Sequence, residues 1–132
     1  LQINTQGRDT LNITEDIQSF INTSKVNIGL CHIFLPHTSA SLILCENTDP
    51  DVRNDLEAFV NNWIPDGHPL FQHNLEGPDD MPSHVKMALT RSSESIPFTG
   101  GTLSLGTWQG VFLWEHRSAP HRRKVILSYL GE

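Results

Sequence analysis

The stretch Leu103-Ser-Leu-Gly-Thr-Trp-Gln-Gly-Val-Phe-Leu-Trp-Glu-His116 decides the fold. It reads as one or two β-strands, with Gly106 marking a bulge or a close backbone approach. Gly100-Gly101 turns the chain just before it, and Arg123 to Leu130 reads as a final strand with Val125, Leu127 and Tyr129 on one side. Towards the N-terminus, Ile28 to Leu35 and Ser41 to Cys45 are rich in apolar and β-branched residues. They read as two further strands joined by Pro36-His37-Thr38-Ser39. Residues Leu1 to Ile13 look extended, with a turn near Gly7. Helices lie between these elements. Thr14 reads as an N-cap, and Ile17, Phe20 and Ile21 then fall at i, i+3, i+4. Asp49-Pro50 starts a second helix, whose Val52, Leu56, Phe59, Val60 and Trp63 form one apolar stripe expected in the core. Pro82 starts a short third helix through Met87 and Leu89. The expected fold class is α+β: a β-rich, largely antiparallel sheet or sandwich core with two or three helices, in a single domain over residues 1–132.

Size and charge narrow the function. A chain of 132 residues can bury roughly two-thirds of its unfolded surface, so no disulfide or metal is needed merely to hold it folded. Nine Lys and Arg against fifteen Asp and Glu give a net charge of −6, which speaks against a duplex nucleic-acid binder. No apolar run reaches the roughly 18 residues of a membrane span, so a membrane partner is not expected and a cytoplasmic location is. Cys31 and Cys45 lie in apolar stretches outside any CxxC pattern and are expected as free, buried thiols.

Three constellations carry chemistry. The first is His37-Thr-Ser-Ala-Ser41. It lacks a G-x-S-x-G elbow, so its hydroxyls are better read as backbone caps or phosphate contacts than as nucleophiles. The second is His73-Asn-Leu-Glu-Gly-Pro-Asp-Asp-Met-Pro-Ser-His84, two imidazoles around three carboxylates in a segment without clean periodicity. Imidazole gives a neutral nitrogen to a divalent ion, and carboxylates complete or orient such a site. The spacing matches no standard zinc motif, so composition leaves a metal site and a polar loop equally open. The third is Gly100 to Gly110, where Trp108 can stack on a flat ring and Gln109 can read ring nitrogens. It is not a phosphate loop.

Taken together, the residues carry a resemblance. His37-Thr-Ser-Ala-Ser41, Glu46-Asn47, His73-Asn-x-Glu-Gly77, Asp79-Asp-Met-Pro-x-His84-x-Lys86, Leu105-Gly-Thr-Trp-Gln-Gly110, Glu115 and Arg117 occur in this order. The chain resembles the YjbQ family from about Thr14 to Glu132. The resemblance implies a compact β-rich fold, a homotrimer, and a metal held by His37, His73 and His84. It also implies secondary thiamine-phosphate synthase activity, joining hydroxymethylpyrimidine diphosphate to thiazole phosphate. His68, His116 and His121 fall outside these motifs.

On that reading the protein is a small metal-dependent transferase acting on a phosphorylated heterocycle. Zinc suits three nitrogens, and Mg²⁺ can arrive with a diphosphate. Glu46, Asp80 or Glu115 would orient a ligand or act as base. Arg117, Ser39 and Ser41 would hold phosphate, and Trp108 and Gln109 would face the ring. Two other readings use the same residues. One is a metal-dependent hydrolase or phosphatase, with a water activated at the open metal position. The other is a trimer that binds metal or ligand without turnover.

Overall fold

The computed structural model describes all residues, 1–132. The strands are β1 (Gln2–Thr5), β2 (Asp9–Asn12), β3 (Ile28–Phe34), β4 (Ala40–Glu46), β5 (Ser93–Thr99), β6 (Thr102–Leu103), β7 (Gln109–Glu115), β8 (His121–Lys124) and β9 (Ile126–Gly131). The helices are α1 (Thr14–Ser24), α2 (Pro50–Trp63) and α3 (Asp80–Leu89). Every ladder is antiparallel, in sheets ordered β1-β8, β2-β7-β4 and β6-β5-β3-β9. The fold is therefore α+β, as expected. No helix is long and apolar enough to cross a membrane.

The core gathers Cys31 and Ile33 of β3, Leu42 of β4, Ile96 and Phe98 of β5, and Val111 and Leu113 of β7, closed by Ile17 and Ile21 of α1. Strand β7 is buried along nearly its whole length because both its faces are covered. Val111 and Leu113 enter the core. On the opposite face, Phe112 and Trp114 meet α2, through Arg53 above the Phe112 ring and through Glu57, which accepts from the Trp114 indole N–H. Alternation along the strand produces this division.

Several elements depart from expectation for identifiable reasons. Strands β3 and β4, consecutive in the chain as read, lie in different sheets. Strand β5 carries Pro97, which spoils a strand pattern. It is tolerated because its missing N–H faces the β6 side, where the ladder ends at Phe98 and Pro97 keeps only a carbonyl bond, accepting from the Ser104 N–H at 2.8 Å. The final segment breaks into β8 and β9 at Val125, which is buried. Helix α3 begins at Asp80 and not at Pro82; within the first turn the missing proline N–H costs no helical bond. Thr14 does not cap α1 from outside but is its first residue, and its Oγ1 accepts from the Val111 N–H at 2.9 Å. The largest correction concerns α2: its apolar stripe is not core. None of its residues is buried, and Phe59 and Trp63 are 68% and 63% exposed. Cys31 is buried and Cys45 only half-buried, and both thiols are free.

Candidate metal centre

A loop without regular structure, residues 64–79, delivers His73 to the start of α3. Asp80 and His84 are one helical turn apart on α3 and so share a face. Ligand atoms of His73, Asp80 and His84 all lie within 4.8 Å of one another. His73 Nε2 is 2.7 Å and His84 Nε2 3.2 Å from the same oxygen, Asp80 Oδ2. The two rings meet edge to face at 5.3 Å.

The protonation pattern of this cluster is informative. His84 Nδ1 lies 2.8 Å from the Thr38 carbonyl oxygen. A carbonyl only accepts, so Nδ1 carries a proton and donates it. His84 Nε2 is left facing Asp80 Oδ2, across a contact that either a second ring proton or a metal ion can fill. Burial would raise the Asp80 carboxyl, but the hydrogen bond with His73 and the neighbouring His84 and Arg117 outweigh it and hold Asp80 below its ordinary range. Two imidazole nitrogens thus converge on one ionised carboxylate oxygen, an arrangement that suits a shared cation or protons on the rings. A backbone carbonyl on the far ring nitrogen is also how metal-bound histidines are oriented. The donor set of two imidazoles and one carboxylate fits a divalent transition metal.

Arg117 organises this corner from behind. Its Nε donates to Asp79 Oδ2 at 3.0 Å, its Nη1 to Asp80 Oδ1 at 2.8 Å and its Nη2 to the Glu76 carbonyl at 2.9 Å. All three nitrogens are engaged within the chain, so Arg117 positions Asp80 and the loop. Asp79 stands at the cap position of α3 yet makes no side-chain cap bond. It turns instead to Arg117 and to the Ser118 amide and hydroxyl. Burial raises its carboxyl, but these bonds prevail and bring it to about 2. The sequence reading counted Asp79 among the carboxylates of this segment without giving it a partner, and it missed the Thr38 carbonyl. The tandem Asp79-Asp80 at a helix start was the available signal for the first, and nothing in the sequence marks the second.

The other expected residues lie elsewhere. His37 is close in sequence to Thr38 but stands outside the cluster. Its Nε2 accepts from the Lys124 N–H at 2.8 Å, so in this arrangement that nitrogen has no lone pair to give a metal. Glu115 is fully buried and paired with Arg123. Burial raises its carboxyl, while Arg123 and the Thr5 hydroxyl pull it below the usual range. Ser39 Oγ accepts from Arg123 at 2.9 Å. Ser41 Oγ lies 2.8 Å from His116 Nε2, and both residues are buried.

Glu46, Trp108 and Gln109 sit at the opposite end of the β4–β7 ladder. Ala40 pairs with Glu115 at one end and Glu46 with Gln109 at the other. Six residue steps at about 3.3 Å each separate the two ends by roughly 20 Å. There Glu46 Oε2 accepts from the Thr48 and Asp49 amides, and Gln109 Oε1 accepts from the Gly106 amide. Trp108 is 61% exposed. Within one chain, the HTSAS and His73–His84 segments converge and the LGTWQG segment stands apart.

Fold and site together define a small antiparallel α+β protein with a His–Asp–His cluster at the start of its third helix. The whole chain, residues 1–132, matches the family described as "UPF0047 protein YjbQ-like". It is 52% identical to the UPF0047 protein sll1880 of Synechocystis sp., covering 100% of this chain and 90% of that one. It is 44% identical to the UPF0047 protein YjbQ of Escherichia coli O157:H7, covering 91% of this chain and 87% of the other. The crystal structure of a conserved hypothetical protein from Thermus thermophilus superposes with a TM-score of 0.88 at 32% identity, covering 98% of each chain. The chain belongs to the YjbQ-like UPF0047 family.

Proposed function

We propose that His73, Asp80 and His84 bind one divalent cation, zinc by preference, and that the protein joins hydroxymethylpyrimidine diphosphate to thiazole phosphate. The observation that carries this reading is the convergence of ligand atoms of His73, Asp80 and His84 within 4.8 Å of one another, with the Thr38 carbonyl orienting the His84 ring. In the reaction a bond forms between the thiazole nitrogen and the pyrimidine methylene carbon. The carbon–oxygen bond to diphosphate breaks, and its electron pair leaves with the diphosphate. A bound cation supplies charge stabilisation for that leaving group. The chain's own part is positional: the Thr38 carbonyl orients His84, and Arg117 holds Asp80 ionised and in place. Uncovered apolar residues such as Phe59 and Trp63 support the homotrimer that the resemblance implies, in a cytoplasmic setting.

Elemental analysis tests the metal site. The wild type should carry close to one ion per subunit after zinc is supplied, His84→Ala should lose it, and His37→Ala should keep it. A folded wild type without metal would sink the site. Incubating the metal-loaded protein with both substrates tests the reaction. Release of diphosphate or phosphate with no ring transfer, abolished by chelation, would replace the transferase reading with a hydrolase at the same site.

A further inference from the structure

His73 lines more than the metal cluster. It also borders a cavity of about 190 Å³ whose other walls include His68, Pro69, Phe71, Asn74 and Met81. The volume is informative. A cavity of about 150 Å³ accommodates benzene, whereas pockets for drug-sized ligands start near 300 Å³. This one therefore has room for a single substituted six-membered ring.

The cavity is built by the same loop that carries His73, and that loop is tied down. Arg8 pairs with Asp66, and the Gly67 amide donates to the Pro78 carbonyl at 3.1 Å, joining the two ends of the loop. The Phe71 amide donates to the His68 carbonyl at 3.0 Å, and the two rings pack with centroids 5.3 Å apart. Phe71, Met81 and the prolines provide apolar walls for the faces of a ring. His68 and Asn74 provide polar groups for its edge. The Leu70 N–H donates to His68 Nδ1 at 3.1 Å, so neutral His68 keeps its proton on Nε2, as a donor. The Asn74 backbone carbonyl accepts from Gly77, and its carboxamide brings a donor and an acceptor side by side. That pair matches an amino group next to a ring nitrogen, as asparagine matches the amino edge of adenine.

We propose that this cavity is a ring subsite, holding one amino-substituted pyrimidine with its reactive substituent towards the His73–Asp80–His84 cluster. The identity of the ring rests on the transferase reading above; the size and polarity of the subsite do not. His68, Phe71, Asn74 and Met81 then select the ring.

The probe is the free alcohol, 4-amino-5-hydroxymethyl-2-methylpyrimidine, which binds without turnover. It is titrated into metal-loaded wild type, Asn74→Ala and Met81→Trp, followed by calorimetry and by NMR shifts of the Asn74 side-chain amide and the His68 ring. Metal content and thermal unfolding of each variant confirm an intact fold and site. The wild type should bind and shift both signals, Asn74→Ala should bind at least tenfold more weakly, and Met81→Trp, which fills the cavity, should not bind. If Met81→Trp does not fold, Asn74→Ala carries the test alone. No binding by metal-loaded wild type, full affinity in folded Met81→Trp, or equal binding of benzyl alcohol would each overturn the subsite. Pyrimidine binding at these residues without thiamine phosphate formation would leave the subsite standing and refute the transferase reading. Wild-type rates of thiamine phosphate formation by Met81→Trp would do the reverse.

Discussion

Helices α1 and α2 carry nearly the same sequence signal and dock in opposite ways. α1 sends Ile17 and Ile21 into the centre of the core, both at 0% exposure. α2 has the longer apolar stripe and fully buries none of it: Val52, Leu56 and Val60 are half-buried, and Phe59 and Trp63 are exposed. The reason lies on the flank of that stripe, where Arg53, Glu57 and Asn61 follow at i, i+4, i+8. This polar row faces the body and meets the Phe112 ring, the Trp114 indole and the buried Lys86 ammonium. One helix is held by full apolar burial, the other by half-buried apolar residues flanked by charged and hydrogen-bonded contacts. Amphipathic periodicity shows that a helix has two faces. Which face the rest of the chain covers depends on the partners waiting there.

The sharpest way to break this comparison is to truncate one apolar residue on each helix. Ile17→Ala should cost about 2–5 kcal/mol, because the site is fully packed. Phe59→Ala should change the stability of the isolated chain by less than about 0.5 kcal/mol. Urea denaturation of both variants measures the contrast. A large Phe59→Ala loss that grows with protein concentration would place α2 in an interface between subunits.

A second test probes the polar row directly. Glu57→Ala leaves the Trp114 N–H without its acceptor and should cost about 1–3 kcal/mol. Asp55→Ala, at an exposed position on the same helix, should stay within about 0.5 kcal/mol. Equal effects from the two would mean that the polar row does not hold α2.

The smallest expected effect is read through pH, on the face of the sheet that α2 and α3 cover. His116 is fully buried, and its Nδ1 has no partner. Burial pushes its pKa down to about 3, helped by the charges of Lys86, Arg8 and Arg123. The unfolded chain takes up this proton near pH 6.5, and the folded chain refuses it. Stability is therefore complete above about pH 6.5 and is lost as pH falls towards 3, by up to about 1.4 kcal/mol per pH unit. His37, also lowered by burial and Arg123, adds in the same direction. The expected loss between pH 6.5 and 5 is on the order of 1–2 kcal/mol. His116→Gln should flatten that slope, and an unchanged slope would count against the assignment to His116.

Much of this architecture was legible in local pattern. The i, i+3, i+4 spacing at Ile17, the Asp49-Pro50 start and the apolar runs at β3, β4 and β7 depend only on near neighbours, and each element formed. Strand β5 was not legible, because Pro97 disguises a strand that only the shortness of β6 permits. In the site, His73, Asp80 and His84 lie within twelve residues and were all visible as candidates. The turn of α3 that aligns Asp80 with His84 follows from helical period once the helix start is known.

What the sequence determined alone was therefore most of the elements and their order, the α+β class and the chemistry of the His73–His84 segment. These follow from short-range rules of periodicity, capping and side-chain type. Only the tertiary structure decided that α2 leaves Phe59 and Trp63 exposed and lays Arg53, Glu57 and Asn61 on the body, that Glu115 is neutralised by Arg123, and that Arg117 is spent on Asp79 and Asp80. It also set His37 against the Lys124 amide, and Trp108 and Gln109 about 20 Å from the other motifs. Each of these turns on which distant groups meet: burial, pairing and distance belong to contacts between segments, and no local pattern encodes them.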